Sequence, residues 1–104
     1  MKGVLKMEKF INKKVIVRGD RSGVFFGTLS SKDGQEVELK DCRRLWYWAG
    51  AASLSQLANE GVKKPDDCKF TVAVESICIL DAIEITPCTD MAISIIEGVK
   101  EWKI

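Results

Sequence analysis

KVIVRGDRSGVFFGTLSSKDGQEVELKDCRRLWYW, residues 14–48, decides the fold. KVIVRG and GVFFGTL are β-branched and aromatic runs separated by Asp20-Arg21-Ser22 between two glycines, which predicts two strands joined by a tight loop. Asp33-Gly34 is a short-range hairpin signal. Beyond it EVELK alternates, with Val37 and Leu39 inward and Glu36, Glu38 and Lys40 outward. RRLWYW reads as a fourth strand, with Arg43, Leu45 and Tyr47 on one face and Arg44, Trp46 and Trp48 on the other. Phe25 and Phe26 must also face opposite sides of their strand, so one ring is expected in the core and the other exposed or at an interface.

Downstream, ASLSQLANEG places Leu54, Leu57 and Ala58 at helical spacing, and Gly61 with the later Pro65 predicts the stop. KFTVAV alternates as a strand, and SICILDAIEIT alternates Ile77, Ile79, Ile83 and Ile85 as one long strand. Thr89 before DMAISIIEG predicts a short capped helix. The tail VKEWKI ends near Trp102, apolar enough to dock. Residues 1–12 are polar and basic without a period and are expected to be a mobile lead-in, leaving residues 13–104 as a single ligand-binding domain. The expected fold is α+β, a curled antiparallel sheet of about six strands packed on one main helix with a short C-terminal helix.

The totals narrow the function. A chain of 104 residues forms one domain with little room for a deep private cavity, which favours a site walled by two copies. A net charge of +1 lacks the basic footprint of a long-nucleic-acid binder. The charge is uneven, however. Basic residues crowd positions 1–21, whereas Glu75, Asp81, Glu84 and Asp90 have no cation among them. There is no histidine, and Cys42, Cys68, Cys78 and Cys88 never pair as CxxC, so no structural metal is expected and each thiol is read as buried and apolar. No signal segment or bilayer-length apolar run is present, which predicts a cytoplasmic protein with reduced thiols. Catalysis is not expected, because the usual general base is absent and no nucleophile elbow, phosphate loop or carboxylate pair replaces it. No cofactor is implied.

RRLWYWAGAASLSQLA, residues 43–58, sets two arginines against three rings and then a run of small residues. Arginine presents a permanently charged planar fork to phosphate oxygens, and Trp and Tyr offer π-faces to a base. In RSGVFFG, Arg21 adds charge, while Gly23 and Gly27 allow close backbone approach. Aromatic residues on a strand also commonly form the core and its rim, and spacing does not separate that reading from a stacking surface.

RSGVFFGTL, CRRLWYWAGAASLSQLANEGVKKPDDCKFTVAV and AIEITPCT together resemble the phage anti-Thoeris sponge family, the first type of Thoeris anti-defence protein, over residues 13–104. The resemblance implies a protein in the cytoplasm of the infected bacterial host. It would bind cyclic ADP-ribose isomers (glycocyclic ADP-ribose) without cleaving them, and so block Thoeris immunity. It implies a homodimer with shared pockets and, as in some members, a hexamer that also sequesters cyclic trinucleotides of CBASS defence. The candidate ligand-binding set is Arg21, Phe25, Arg43, Arg44, Trp46, Trp48, Ser53 and Asn59. The alternative is a small β-rich module that uses the same rings to stack single-stranded nucleic acid.

Overall fold

Strand β1 (Lys14–Gly19) carries three consecutive apolar residues, Val15, Ile16 and Val17, and all three are buried. A strand turns successive side chains to opposite faces, so a run of this kind requires cover on both sides of the sheet. A computed structural model, describing residues 8–104, supplies that cover. Strands β2 (Val24–Asp33) and β3 (Glu36–Tyr47) continue the antiparallel meander from β1. β4 (Lys69–Phe70) pairs with the end of β3, β5 (Val74–Ile79) with its first half, and β6 (Ala82–Pro87) returns to β1. All six strands form one antiparallel, curled sheet.

Inside the curl lie Val15, Val17, Phe25, Leu29, Val37, Leu39, Cys42 and Ile79. On the other face, Ile16, Phe26, Leu45 and Phe70 meet helices α1 (Leu54–Glu60) and α2 (Asp90–Gly98) through Leu57, Ala58, Ala92 and Ile96. Both helices begin on the expected caps: Ser53 accepts from the Gln56 amide and Thr89 from the Ala92 amide. Two-sided cover corrects the reading of the phenylalanines, because Phe25 and Phe26 are both buried, each in a different core.

The parsing of strands differs from expectation in two places. EVELK and RRLWYW are one twelve-residue strand rather than two. SICILDAIEIT is two strands, broken at Leu80-Asp81 into β5 and β6, and KFTVAV is interrupted by irregular Thr71, Val72 and Ala73 between β4 and β5. Ile83, expected in phase with Ile77, Ile79 and Ile85, is 54% exposed because it is an extra residue opposite the Arg18–Gly19 step, where Arg18 pairs with Glu84 and Gly19 with Ala82. Ile85 stays with Ile77 and Ile79 against the inner core. Residues 1–7 of the expected lead-in lie outside the described residues. Residues 8–12 are not loose: Glu8–Phe10 forms a 3-10 turn, the Asn12 amide donates to the Leu29 carbonyl, and Phe10 and Ile11 pack against the inner core.

One irregularity governs β3. Phe26 pairs with Arg43 and Thr28 with Lys40, so Gly27 alone faces both Asp41 and Cys42. This is a β-bulge, with Asp41 at φ +49°. Gly27 is needed there, since a Cβ would stand 2.9 Å from the Lys40 carbonyl oxygen and 3.2 Å from Cys42 Cα. The extra residue reverses the strand's phase: Val37 and Leu39 face the inner core, whereas Arg43 and Leu45 face the helices.

Arg43 is thereby carried inside, 7% exposed, with its guanidinium against the Phe70 ring. Its Nε, Nη1 and Nη2 donate to the carbonyls of Thr71, Ile96 and Phe70 at 2.9, 2.9 and 3.0 Å. One side chain thus ties β3, the strand after it and the C-terminal turn of α2. Burial lowers its pKa, but a guanidinium remains charged and its fork matches three fixed acceptors. A lysine has no such fork. Stability is expected to fall in the order Arg43, Arg43→Lys, Arg43→Ala, the last by about 3 kcal/mol or more because buried carbonyls lose their donors. Urea unfolding midpoints of the three proteins check this; equal midpoints would contradict it.

Candidate functional site

The loop between β1 and β2 and the segment entering α1 stand face to face. Between them is a cavity of about 660 Å³, lined by Arg18, Asp20 and Arg21 from the first, Trp48, Ser53 and Ser55 from the second, and Glu84 of β6. Trp48 is half-buried and rests on the helix-side core with Val24 and Leu54, which fixes one side of its indole. Among the described residues Arg18, Arg21 and Arg44 form no ion pair, so their charge is available to a ligand. Asp20 and Glu84 make the lining mixed in sign. Such a wall suits a molecule with anionic groups and with hydroxyl or amine donors, since the arginines donate to anionic oxygens and the carboxylates accept from O–H and N–H groups.

Arg21 also borders two neighbouring cavities. One, about 450 Å³, has Arg44 and Phe25 on one side and Ile77, Ile79 and Leu80 on the other. The Arg44 guanidinium lies 4.8 Å from the Phe25 ring centroid. The other, about 360 Å³, runs past Arg44, Trp46 and Trp48 and so links the first two sets of residues. The guanidinium of Arg21 is held out by its own loop: the Asp81 carboxylate accepts from the amides of Arg21 at 2.8 Å and Ser22 at 3.1 Å and from the Ser22 hydroxyl at 2.5 Å. The hydroxyl first, then the Arg21 amide, hold the Asp81 carboxyl below the usual carboxylate range.

The structure brings together Arg21, Trp48 and Ser53 of the expected set, and places Arg44, Phe25 and Trp46 in the adjoining cavities. Ser53 Oγ is already engaged as the cap of α1. Arg43 is a correction: the bulge turns it inward, and carbonyls occupy its three nitrogens. Asn59 lies away from these cavities, on the α1 side that meets α2, where its carbonyl accepts from the Thr89 hydroxyl at 2.7 Å. Trp46, 63% exposed, stacks on Trp102 at 6.3 Å between centroids, with Lys69 over the Trp102 ring at 5.4 Å. The tail therefore docks as expected. Arg18 and Asp81 lie outside the expected set; the alternating phase of KVIVRG is a signal for Arg18, whereas Asp81 stands in a stretch that reads as unbroken strand.

Residues 12–96 match the model of a family described as a domain of unknown function, DUF6948. The chain belongs to this family. No curated protein matches the sequence. Among solved structures the chain is similar to a heptameric archaeal Sm protein, with a TM-score of 0.54 and 16% identity, over 82% of this chain and 98% of that one. A likeness at that identity concerns the fold: six strands in a curled antiparallel sheet.

Among the described residues no group of three or more Cys, Asp or Glu side chains stands together as metal ligands, and no helix is long and apolar enough to cross a membrane. The thiols differ from expectation at one position. Cys42 and Cys68 are buried and Cys88 is half-buried, but Cys78 is exposed on β5 because the inward positions of that strand are Ile77 and Ile79. Burial pushes the Cys42 thiol up to about 12 and the Cys88 thiol to about 11. Since the thiolate is the nucleophile, Cys78 is expected to react with an aromatic disulfide reagent at pH 8 while Cys42 and Cys88 do so only on unfolding. Four equal rates in the native protein would contradict this placement.

Proposed function

We propose that this protein is a nucleotide-signal sponge that captures cyclic ADP-ribose isomers, glycocyclic ADP-ribose in particular, and holds them intact. The observation that carries the reading is the meeting of Arg18 and Arg21, which form no ion pair among the described residues, with Trp48 in one cavity. A cyclic ADP-ribose isomer is compact and carries a flat base and a pyrophosphate. Its base would stack on Trp48, its phosphates would accept from the arginines, and its ribose hydroxyls would donate to Asp20 or Glu84. Stacking contributes about 1–3 kcal/mol and a charge-assisted hydrogen bond about 1.5–3 kcal/mol. One stack with three such bonds reaches up to about 12 kcal/mol before ordering is subtracted, the scale of nanomolar capture.

The resemblance to the anti-Thoeris family supplies the setting: the cytoplasm of an infected bacterium, where removing the signal blocks Thoeris immunity, with cyclic trinucleotides of CBASS as further ligands. The protein acts by binding and not as an enzyme. Its cavity rim is exposed at Arg18, Asp20, Arg21, Ser53 and Ser55, so a second copy is needed to enclose the ligand. Exposed Trp46, Val74, Leu80 and Ile83 offer apolar surface for a homodimer or hexamer, and the Sm protein of similar fold is itself heptameric.

A second reading draws on the exposed Trp46–Trp102 pair with Lys69, which would suit unstacked bases of single-stranded nucleic acid. One experiment separates them. The protein is incubated with glycocyclic ADP-ribose or with a single-stranded oligonucleotide, freed of unbound ligand and heat-denatured. Release of intact cyclic nucleotide in molar amount is expected. Release of a linear product, or retention of the oligonucleotide alone, would refute the sponge. Arg21→Ala should abolish capture with an unchanged melting temperature, since the side chain is exposed.

A further inference from the structure

Gly19 leaves no room for a side chain. A Cβ on it would stand 1.9 Å from Ser22 Oγ and 2.7 Å from Asp81 Oδ1. What fills that space is a latch between two loops that are far apart in sequence. Asp81 Oδ2 accepts from the Arg21 and Ser22 amides, Oδ1 accepts from the Ser22 hydroxyl, the Asp81 carbonyl accepts from the Asp20 amide at 2.8 Å, and the Gly19 amide donates to the Gly23 carbonyl at 2.8 Å. The three backbone amides of Asp20, Arg21 and Ser22 are thereby all held by Asp81. Arg21 borders all three cavities, and among the described residues no other side chain anchors it.

We infer that Asp81 is a positioning residue of the site: its carboxylate pins the β1–β2 loop and so sets where the Arg21 guanidinium meets an anion. The inference rests on reading the cavity as an anion site. It makes a prediction opposite in sign to simple electrostatics. A carboxylate beside an anion site repels the ligand, so by charge alone both Asp81→Ala and Asp81→Asn should tighten binding. A latch behaves otherwise. Asparagine keeps an oxygen for the two amides and, through its amide nitrogen, a donor for the Ser22 hydroxyl, whereas alanine keeps neither.

The test uses the full chain, with glycocyclic ADP-ribose as the probe. Amide exchange by NMR reads the latch without ligand, and titration reads the site. In Asp81→Ala the Arg21 and Ser22 amides are expected to lose protection while those of β1, β2 and β3 keep theirs, and the probe is expected to bind about tenfold or more weakly. Asp81→Asn is expected to stay near the wild type in both. Gly19→Ala, which changes no charge, is expected to reproduce the alanine phenotype. Asp81→Ala binding as tightly as the wild type or more tightly, or loop amides that stay protected, would overturn the inference. A wild-type protein that does not bind the probe refutes the sponge, and the exchange data then decide the latch alone.

Discussion

The extra residue that β3 carries opposite Gly27 sets the layout of this molecule. Asp41 and Cys42 share one partner on β2, and from that point the strand presents its faces in the reverse order. Because of this inversion Arg43 enters the helix-side core and Arg44 comes to lie over Phe25 on the opposite face. Two adjacent arginines of identical chemistry thus acquire separate tasks. One closes the fold by satisfying three carbonyls, and the other stays exposed with no ion pair among the described residues. The absence of a side chain at Gly27 is what permits the strands to approach there.

Sheet and helices then divide the labour. The two-sided core leaves the sheet little freedom to shear, because its central strands are packed above and below. Chemistry collects at one end, where the β1–β2 loop, the β5–β6 turn and the entry to α1 converge. That end is held by directional bonds rather than by apolar packing: the Asp81 contacts on one side and the Ser53 cap on the other. A site that must present exposed arginines to water cannot be fixed by burying them, so its supports are hydrogen bonds from neighbouring backbone.

Period-two alternation and the Asp33-Gly34 turn made the meander legible in the sequence, and the caps at Ser53 and Thr89 stand where side-chain chemistry predicts. What alternation could not reveal was its own interruption. Asp41 looks like any polar residue on a solvated strand, so nothing in RRLWYW tells which of Arg43 and Arg44 faces inward, and residue type alone places both in the ligand set. Leu80-Asp81 likewise lacks the glycine or proline that usually marks a turn, and SICILDAIEIT therefore read as a single strand. Of the site, Arg21 and Trp48 were legible because permanent charge and flat rings announce themselves as types. Asp81 was not: its importance lies in the two amides and the hydroxyl it meets across the fold, and contacts of that range leave no local pattern.

The central claim is that the Arg18, Arg21 and Trp48 cavity holds the pyrophosphate of a cyclic nucleotide without breaking it. Phosphorus NMR of glycocyclic ADP-ribose mixed with an equal amount of protein measures this at the atoms concerned. The account predicts that both pyrophosphate resonances shift and broaden, keep their total intensity for hours, and return to the free positions when Arg21→Ala replaces the wild type. Resonances at the free positions with wild-type protein, or new signals of a linear diphosphate that grow with time, would contradict it.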